Sequence, residues 1–371
     1  MHLDDLETPA LLLDRERLSR NIERMRNRLA QLGVPLRPHV KTAKSIDVVR
    51  MAVEGQPGGI TVSTLREAEY FLGHGFADIL YAVGIVPSKL RHVAALQRRG
   101  ADVTIILDSA DMAEAVAREA EALGTVFRVL IEVDTDGGRA GLPSGDPRMV
   151  EIGRILDAEP GTELRGVMTH AGMSYGCRSP DALRAMAEQE RAGAVAAAEA
   201  LRRAGLPAPV VSVGSTPTAL FAERLDGVSE VRAGVYMFND LVMANLGVCG
   251  ENEIALSVLA TVIGHRRDLG YLLVDAGGLA MSKDAGPSEG RSYGRLWDAA
   301  TGRPLGLAIA SVNQEHGLVP AREDDFQRLP IGSLVRVAPN HACMTAAAHE
   351  RYHVVGGGTD VLEVWDRCNG W

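Results

Sequence analysis

The 371-residue chain is 46% hydrophobic and 23% charged, a globular balance that excludes an intrinsically disordered polypeptide and leaves room for one large and one small domain. A net charge of −9, with no long run of Lys or Arg, argues against nucleic-acid and anionic-membrane partners. No apolar stretch approaches a membrane span, Met1-His2-Leu3-Asp4-Asp5 does not open a signal peptide, and Cys177, Cys249, Cys343 and Cys368 are scattered like thiols of a reducing compartment, so a cytoplasmic enzyme is expected.

Short β-branched runs alternate with amphipathic segments along the first two-thirds of the chain. The runs lie at 10–13, 36–41, 60–63, 78–83, 103–107, 127–133, 166–170, 210–213 and 230–236. Helical spacing of apolar residues marks 15–32, 65–73, 110–123 and 180–204 between them. Such alternation predicts a parallel sheet. Nine runs are one too many for a (β/α)8 TIM-type barrel, so the first is assigned to a separate domain and the other eight close the barrel. A doubly wound sheet would want a glycine-rich fingerprint after its first strand, which is absent. Beyond 240, short strand candidates at 255–264, 271–275, 307–312, 333–337, 351–355 and 360–365 are separated by Gly, Pro and Asp turns. They predict an antiparallel β-domain. The expected α/β organisation is thus a barrel over 15–240 and a β-domain over 241–371 that takes in 1–14. Gly356-Gly357-Gly358-Thr359-Asp360 reads as a hairpin turn rather than a phosphate loop.

Catalytic groups of such barrels sit at the C-terminal ends of strands, where Arg37-Pro38-His39-Val40-Lys41-Thr42-Ala43-Lys44 places lysine. A lysine buried there would lose solvation, its pKa would fall, and it would become a Schiff-base candidate. On this motif alone, Lys41 or Lys44 serves equally as a helix cap or a surface ion pair. Val213-Gly214-Ser215-Thr216-Pro217-Thr218 and Arg232-Ala233-Gly234-Val235-Tyr236 follow the last two barrel strands, where barrels hold phosphate through backbone N–H groups and hydroxyls. A first-strand lysine with a phosphate cradle opposite points to pyridoxal phosphate. His341-Ala342-Cys343 adds an imidazole and a thiol that share one face if the segment is extended, though a buried Cys is usually inert. Two protein ligands would leave a metal open to water and substrate, and a thiolate favours zinc, with manganese or magnesium as alternatives.

Thr8-Pro9-Ala10, Arg37 to Thr42, Glu132-Val133-Asp134 with Arg139-Ala140-Gly141, and Gly214 to Thr218 resemble the fold-type III, alanine-racemase-like pyridoxal-phosphate enzymes. The resemblance is to the D-serine dehydratase and D-threonine aldolase branch. Asp275-Ala276-Gly277, Gln314-Glu315-His316-Gly317 and Pro339-Asn340-His341-Ala342-Cys343 extend it through the second domain. It implies that Lys41 is the Schiff-base lysine and the base at Cα, that His39 and His170 line the cofactor, and that Arg139 lies near its phenolic oxygen. It implies further that Gly214, Ser215, Thr216, Gly234, Val235 and Tyr236 hold the phosphate, that His341 and Cys343 hold the metal, and that two chains form a homodimer. His170 departs from relatives that carry Tyr there. His349 and His353 are read as strand or surface histidines.

The implied reaction is a lyase reaction on a D-3-hydroxy amino acid. Dehydration of D-serine or D-threo-3-hydroxyaspartate to keto acid and ammonia is preferred, because position 343 is Cys where aldolases of the family commonly carry Asp. Retro-aldol cleavage to glycine and aldehyde, as in D-threonine aldolase, is the alternative. An amino-acid racemase comes third; it needs a second base, for which Tyr271, Tyr293 or Tyr352 would serve. A cofactor carrier built on the barrel alone would end near residue 240.

Overall fold

The computed structural model describes residues 1–286 and 291–371, divided into two compact units. One unit comprises Arg24–Gly234 with the last two residues, and the other comprises Met1–Glu23 with Val235–Asn369. Among the described residues no helix is long and apolar enough to cross a membrane.

Strand β1 (Ala10–Asp14) belongs to the second unit. The first unit holds β2 (Ile60–Val62), β3 (Asp78–Gly84), β4 (Asp102–Leu107), β5 (Phe127–Asp134), β6 (Leu142–Pro143), β7 (Thr162–Thr169), β8 (Val210–Val213) and β9 (Glu230–Val231). They form a parallel sheet in the order β2-β3-β4-β5-β7-β8-β9, with the short β6 beside β5. Helices follow the strands, including Leu65–Gly73, Ala110–Leu123, Pro180–Arg203 and Thr216–Phe221, capped by Thr64, Ser109, Ser179 and Ser215. Leu80, Ile106, Leu130 and Met168, from four neighbouring strands, pack as one buried cluster.

The run read as the first barrel strand is not a regular strand. Leu36 bridges Val231, and His39 bridges Thr61. The Arg37 and His39 N–H groups donate to Val231 (2.8 Å) and Ala233 (2.8 Å), while Val40 and Thr61 exchange bonds with Thr61 and Pro38 on the other side (2.9 Å each). The segment therefore joins β9 to β2 and closes the parallel ring. Pro38 has no N–H to give, so the ladder is interrupted. The last expected strand is also shorter, because the chain turns into a 3₁₀ helix at Val235–Met237.

The second unit contains β10 (Leu256–Arg266), β11 (Tyr271–Val274), β12 (Arg295–Asp298), β13 (Pro304–Ala308), β14 (Ser311–Val312), β15 (Gly317–Pro320), β16 (Leu334–Ala338), β17 (Arg351–Val355) and β18 (Val361–Asp366). The main path runs β13-β12-β16-β10-β1-β17-β18, with β11, β15 and β14 continuing from β10. Pairing is antiparallel except between β1 and β17. All five residues of β1 are buried, as a central position demands. Two strands of this unit, β12 and β15, have no counterpart in the sequence reading: four residues ending in a charge or a proline carry no readable alternation. The helix Ala342–Ala347 was also unexpected, and it changes the geometry at His341.

Candidate active site

Past His39 the chain turns sharply. The Lys44 N–H returns to the Val40 carbonyl (2.8 Å), and Lys44 adopts a left-handed φ of 47°. Its ammonium lies 3.2 Å from the carboxylate of Glu67, a fully buried residue that also accepts the Ser63 N–H (2.9 Å). Lys44 is thus held in an ion pair, and Lys41 is exposed in the turn. Lys41 was expected to be buried; the turn instead carries it past the strand end, into solvent.

The charge of Lys41 acts on two imidazoles, His39 and His170. Burial holds the His39 pKa well below its usual value, reinforced by Lys41, Arg232 and His170. Its Nε2 is 3.5 Å from the Ser63 hydroxyl, and its buried Nδ1 has no hydrogen-bond partner among the described residues. His170 follows β7. Burial pushes its pKa down to about 3, with Lys41, Arg139 and Arg232 adding to the effect, although Nδ1 lies 2.9 Å from the Gly214 carbonyl. Both rings are therefore neutral at pH 7. Arg139 is exposed on a loop tied down at both ends: Asp134 accepts the Gly137 N–H (2.7 Å), and Gly141 donates to Asp108 (3.0 Å). Its charge also opposes the burial that raises the Glu132 pKa. Arg232 opens the 232–236 motif but was given no role of its own in the sequence reading. It is buried, donates to the Ser212 hydroxyl (2.5 Å) and the Thr169 carbonyl, and adds a fixed cation to the mouth.

The loops after β8 and β9 divide the expected phosphate donors into two groups. Gly214 adopts φ +135°, and a Cβ there would come within 2.1 Å of the Arg232 carbonyl oxygen. Glycine is required here by the neighbouring strand rather than by an approaching anion. The Gly214 N–H is already donated to Glu190 (2.9 Å), and the Ser215 N–H to the Thr218 hydroxyl (3.1 Å). Ser215 Oγ caps its helix and meets Ser174 (3.0 Å). Thr216 is buried at the first turn of the same helix. By contrast, the N–H groups of Gly234 and Val235, both in buried positions, donate to no acceptor among the described residues. Buried orphan donors are rare and mark a place where a ligand oxygen fits. A Cβ on Gly234 would meet the His39 carbonyl at 2.8 Å, so glycine also lets these two strand ends approach each other. Tyr236 follows, fully enclosed.

The second unit brings His341 and Cys343 together by a route other than the one expected. His341 is the N-cap of the helix Ala342–Ala347, with φ −133°, and Cys343 lies one residue inside it. The bend at the cap, rather than a shared strand face, lets imidazole and thiol hydrogen-bond. Asp284 reaches His341 Nδ1 at 2.6 Å. Asp240, buried, takes the Ala342 N–H (3.0 Å), and its pKa is raised by burial to about 6. The Cys343 contact, helped by Asp284 and Asp240, lifts the His341 pKa to about 9 against burial. A carboxylate on the ring nitrogen of a histidine is also the support commonly given to metal-bound histidines. No cluster of three His, Cys, Asp or Glu side chains able to hold a metal occurs among the described residues. His341 and Cys343 are thus a pair, with the Asp284 carboxylate against the imidazole. His349 Nε2 donates to the Ala280 carbonyl (3.0 Å) and is not part of this set.

Residues 13–241 match the family profile for the alanine racemase N-terminal domain, and residues 255–355 match the profile for a putative serine dehydratase domain. D-threo-3-hydroxyaspartate dehydratase of Delftia sp. (strain HT23) is 50% identical over 99% of this chain and 98% of its own. D-serine dehydratase of Dictyostelium discoideum is 29% identical over 100% of this chain and 98% of its own. A solved structure of a D-threo-3-hydroxyaspartate dehydratase variant in a metal-free form has a TM-score of 0.95 at 49% identity, covering 100% of both chains. The chain belongs to the fold-type III, alanine-racemase-like pyridoxal-phosphate enzymes and is a lyase of their D-serine dehydratase and D-threonine aldolase branch.

Proposed function

We propose that the enzyme dehydrates D-3-hydroxy amino acids, D-threo-3-hydroxyaspartate or D-serine, to a keto acid and ammonia by β-elimination. The observation that carries this reading is the placement of Lys41: it is exposed at the turn that ends the first barrel segment, and its charge acts on the neutral imidazoles of His39 and His170. The residues present fit pyridoxal phosphate. Lys41, Arg139 and Arg232 make the mouth cationic, the orphan His39 Nδ1 and the Gly234 and Val235 N–H groups await acceptors, and Lys41 is the amine for the aldehyde. His341 and Cys343 fit a thiophilic divalent ion, zinc before manganese or magnesium. When bound, the cofactor supplies an electron sink at Cα and the metal supplies Lewis acidity for departure of the β-hydroxyl.

The chain's own part follows from its charges. Lys41 removes the Cα proton, because His39 and His170 are too weakly basic to compete for it. In this reading a barrel domain, taken as 15–240, binds the cofactor, and a β-domain, taken as 241–371 with 1–14, carries the metal ligands. The working form proposed is a cytoplasmic homodimer, in keeping with four cysteines that form no disulfide. Product analysis after incubation with D-serine, D-threonine and D-threo-3-hydroxyaspartate tests the proposal: keto acid with ammonia supports it. Glycine with an aldehyde replaces it with the aldolase, and inverted amino acid alone removes both.

A further inference from the structure

Glu190 sits on the inner stripe of the helix Pro180–Arg203, between buried Ala187 and Ala194, with 2% of its surface exposed. A carboxylate there is costly unless every lone pair is used. One oxygen accepts two N–H groups, from Ala171 (3.0 Å) and Gly214 (2.9 Å), and the Thr218 hydroxyl also hydrogen-bonds the carboxylate. Ala171 is the residue after His170, and Gly214 supplies the carbonyl 2.9 Å from His170 Nδ1. That carbonyl shares a peptide plane with the Ser215 N–H, which the Thr218 hydroxyl accepts at 3.1 Å. Glu190 thus grips Gly214 directly at its N–H, and through Thr218 it grips the plane that carries the carbonyl. A carbonyl only accepts, and His170 is neutral, so its ring proton lies on Nδ1 and Nε2 is left with a lone pair.

We propose that Glu190 is a positioning residue that fixes the orientation and Nδ1–H tautomer of His170 by holding Gly214 and Thr218. This rests on the cofactor lying at the barrel mouth beside His170.

The test compares the wild type, Glu190→Gln and Glu190→Met, each with ¹⁵N-labelled histidine, with the His170 signals identified by their absence in His170→Asn. In cofactor-free wild type, His170 shows a protonated Nδ1 and an unprotonated Nε2. Gln keeps an acceptor for both N–H groups, so the tautomer is retained and the dissociation constant for pyridoxal phosphate stays within about threefold. Met leaves both N–H groups unpaired, so the tautomers mix and that constant rises by at least about tenfold. A Met variant that keeps the tautomer, or that binds the cofactor like wild type and loses only thermal stability, overturns the proposal. Should the Met variant not fold, Thr218→Val removes the hydroxyl relay while keeping Glu190, and an unchanged His170 tautomer there overturns it equally. The nitrogen signals are read without cofactor, so failure of borohydride to label Lys41 in loaded wild type would count against the cofactor reading alone.

Discussion

At the barrel mouth, His170 is mostly buried and its pKa falls to about 3; in the β-domain, His341 also loses solvent, yet its pKa rises to about 9. Burial acts in the same direction on both rings, toward the neutral form. The neighbours decide the outcome. Lys41, Arg139 and Arg232 surround His170 with positive charge, whereas Cys343, Asp284 and Asp240 surround His341 with groups that are negative when ionised. One unit has assembled a cationic site with neutral imidazoles, suited to a phosphorylated aldehyde. The other has assembled a cluster whose charge a divalent cation can take over from a proton.

The comparison can be broken at its strongest point first. Lys41→Ala removes the amine from the cationic site, and turnover should fall by about 10³-fold or more, with no borohydride-stable label. Retained turnover would show that Lys44 or another group does the work. Cys343→Ala acts on the other site: about 100-fold lower turnover is expected, with visible cofactor absorbance unchanged, because the two sites draw on different residues. Loss of the cofactor band in this variant would show that the sites are not separable. Asp284→Asn keeps the shape but weakens the support of His341. Calorimetric titration of metal-depleted protein should then show about tenfold weaker metal binding; an unchanged affinity would remove Asp284 from the site.

The smallest effect is a pH dependence in the metal- and cofactor-free protein. The folded-state pKa of His341, about 9, lies above its unfolded value of 6.5, so its stabilising contribution is complete below pH 6.5 and is lost as pH rises through 9. His170 is the reverse case: its folded value of about 3 lies below 6.5, so stability is lost as pH falls from 6.5 toward 3. Denaturant unfolding from pH 5 to 10 should give curves for wild type and His341→Ala that converge above pH 9. A difference that persists there would mean that His341 stabilises by packing rather than by charge.

Several of these residues could be read from the chain, and others could not. Lys41, His39 and His170 stand at the ends of β-branched runs, and the parallel order of the runs places strand ends together. Arg232 and Glu190 were given no role of their own, although Glu190 left a signal: a carboxylate on the apolar stripe of a helix, in step with Leu183, Ala187 and Ala194. Asp284 left none. It lies 57 residues from His341 in a loop, and only folding shows the 2.6 Å contact. The extended geometry assumed for His341 and Cys343 was wrong because six residues, Ala342–Ala347, are too few to reveal a helical period.

The amino-acid sequence by itself determined the α/β class, the separation into a parallel and an antiparallel sheet, and the family, because periodicity and motif order are properties of the chain. Tertiary structure decided that Lys44 pairs with buried Glu67, which backbone N–H groups are already used, and which way each histidine titrates. Those outcomes depend on what burial and neighbouring charge do at a single atom, and both come from residues far apart in the chain.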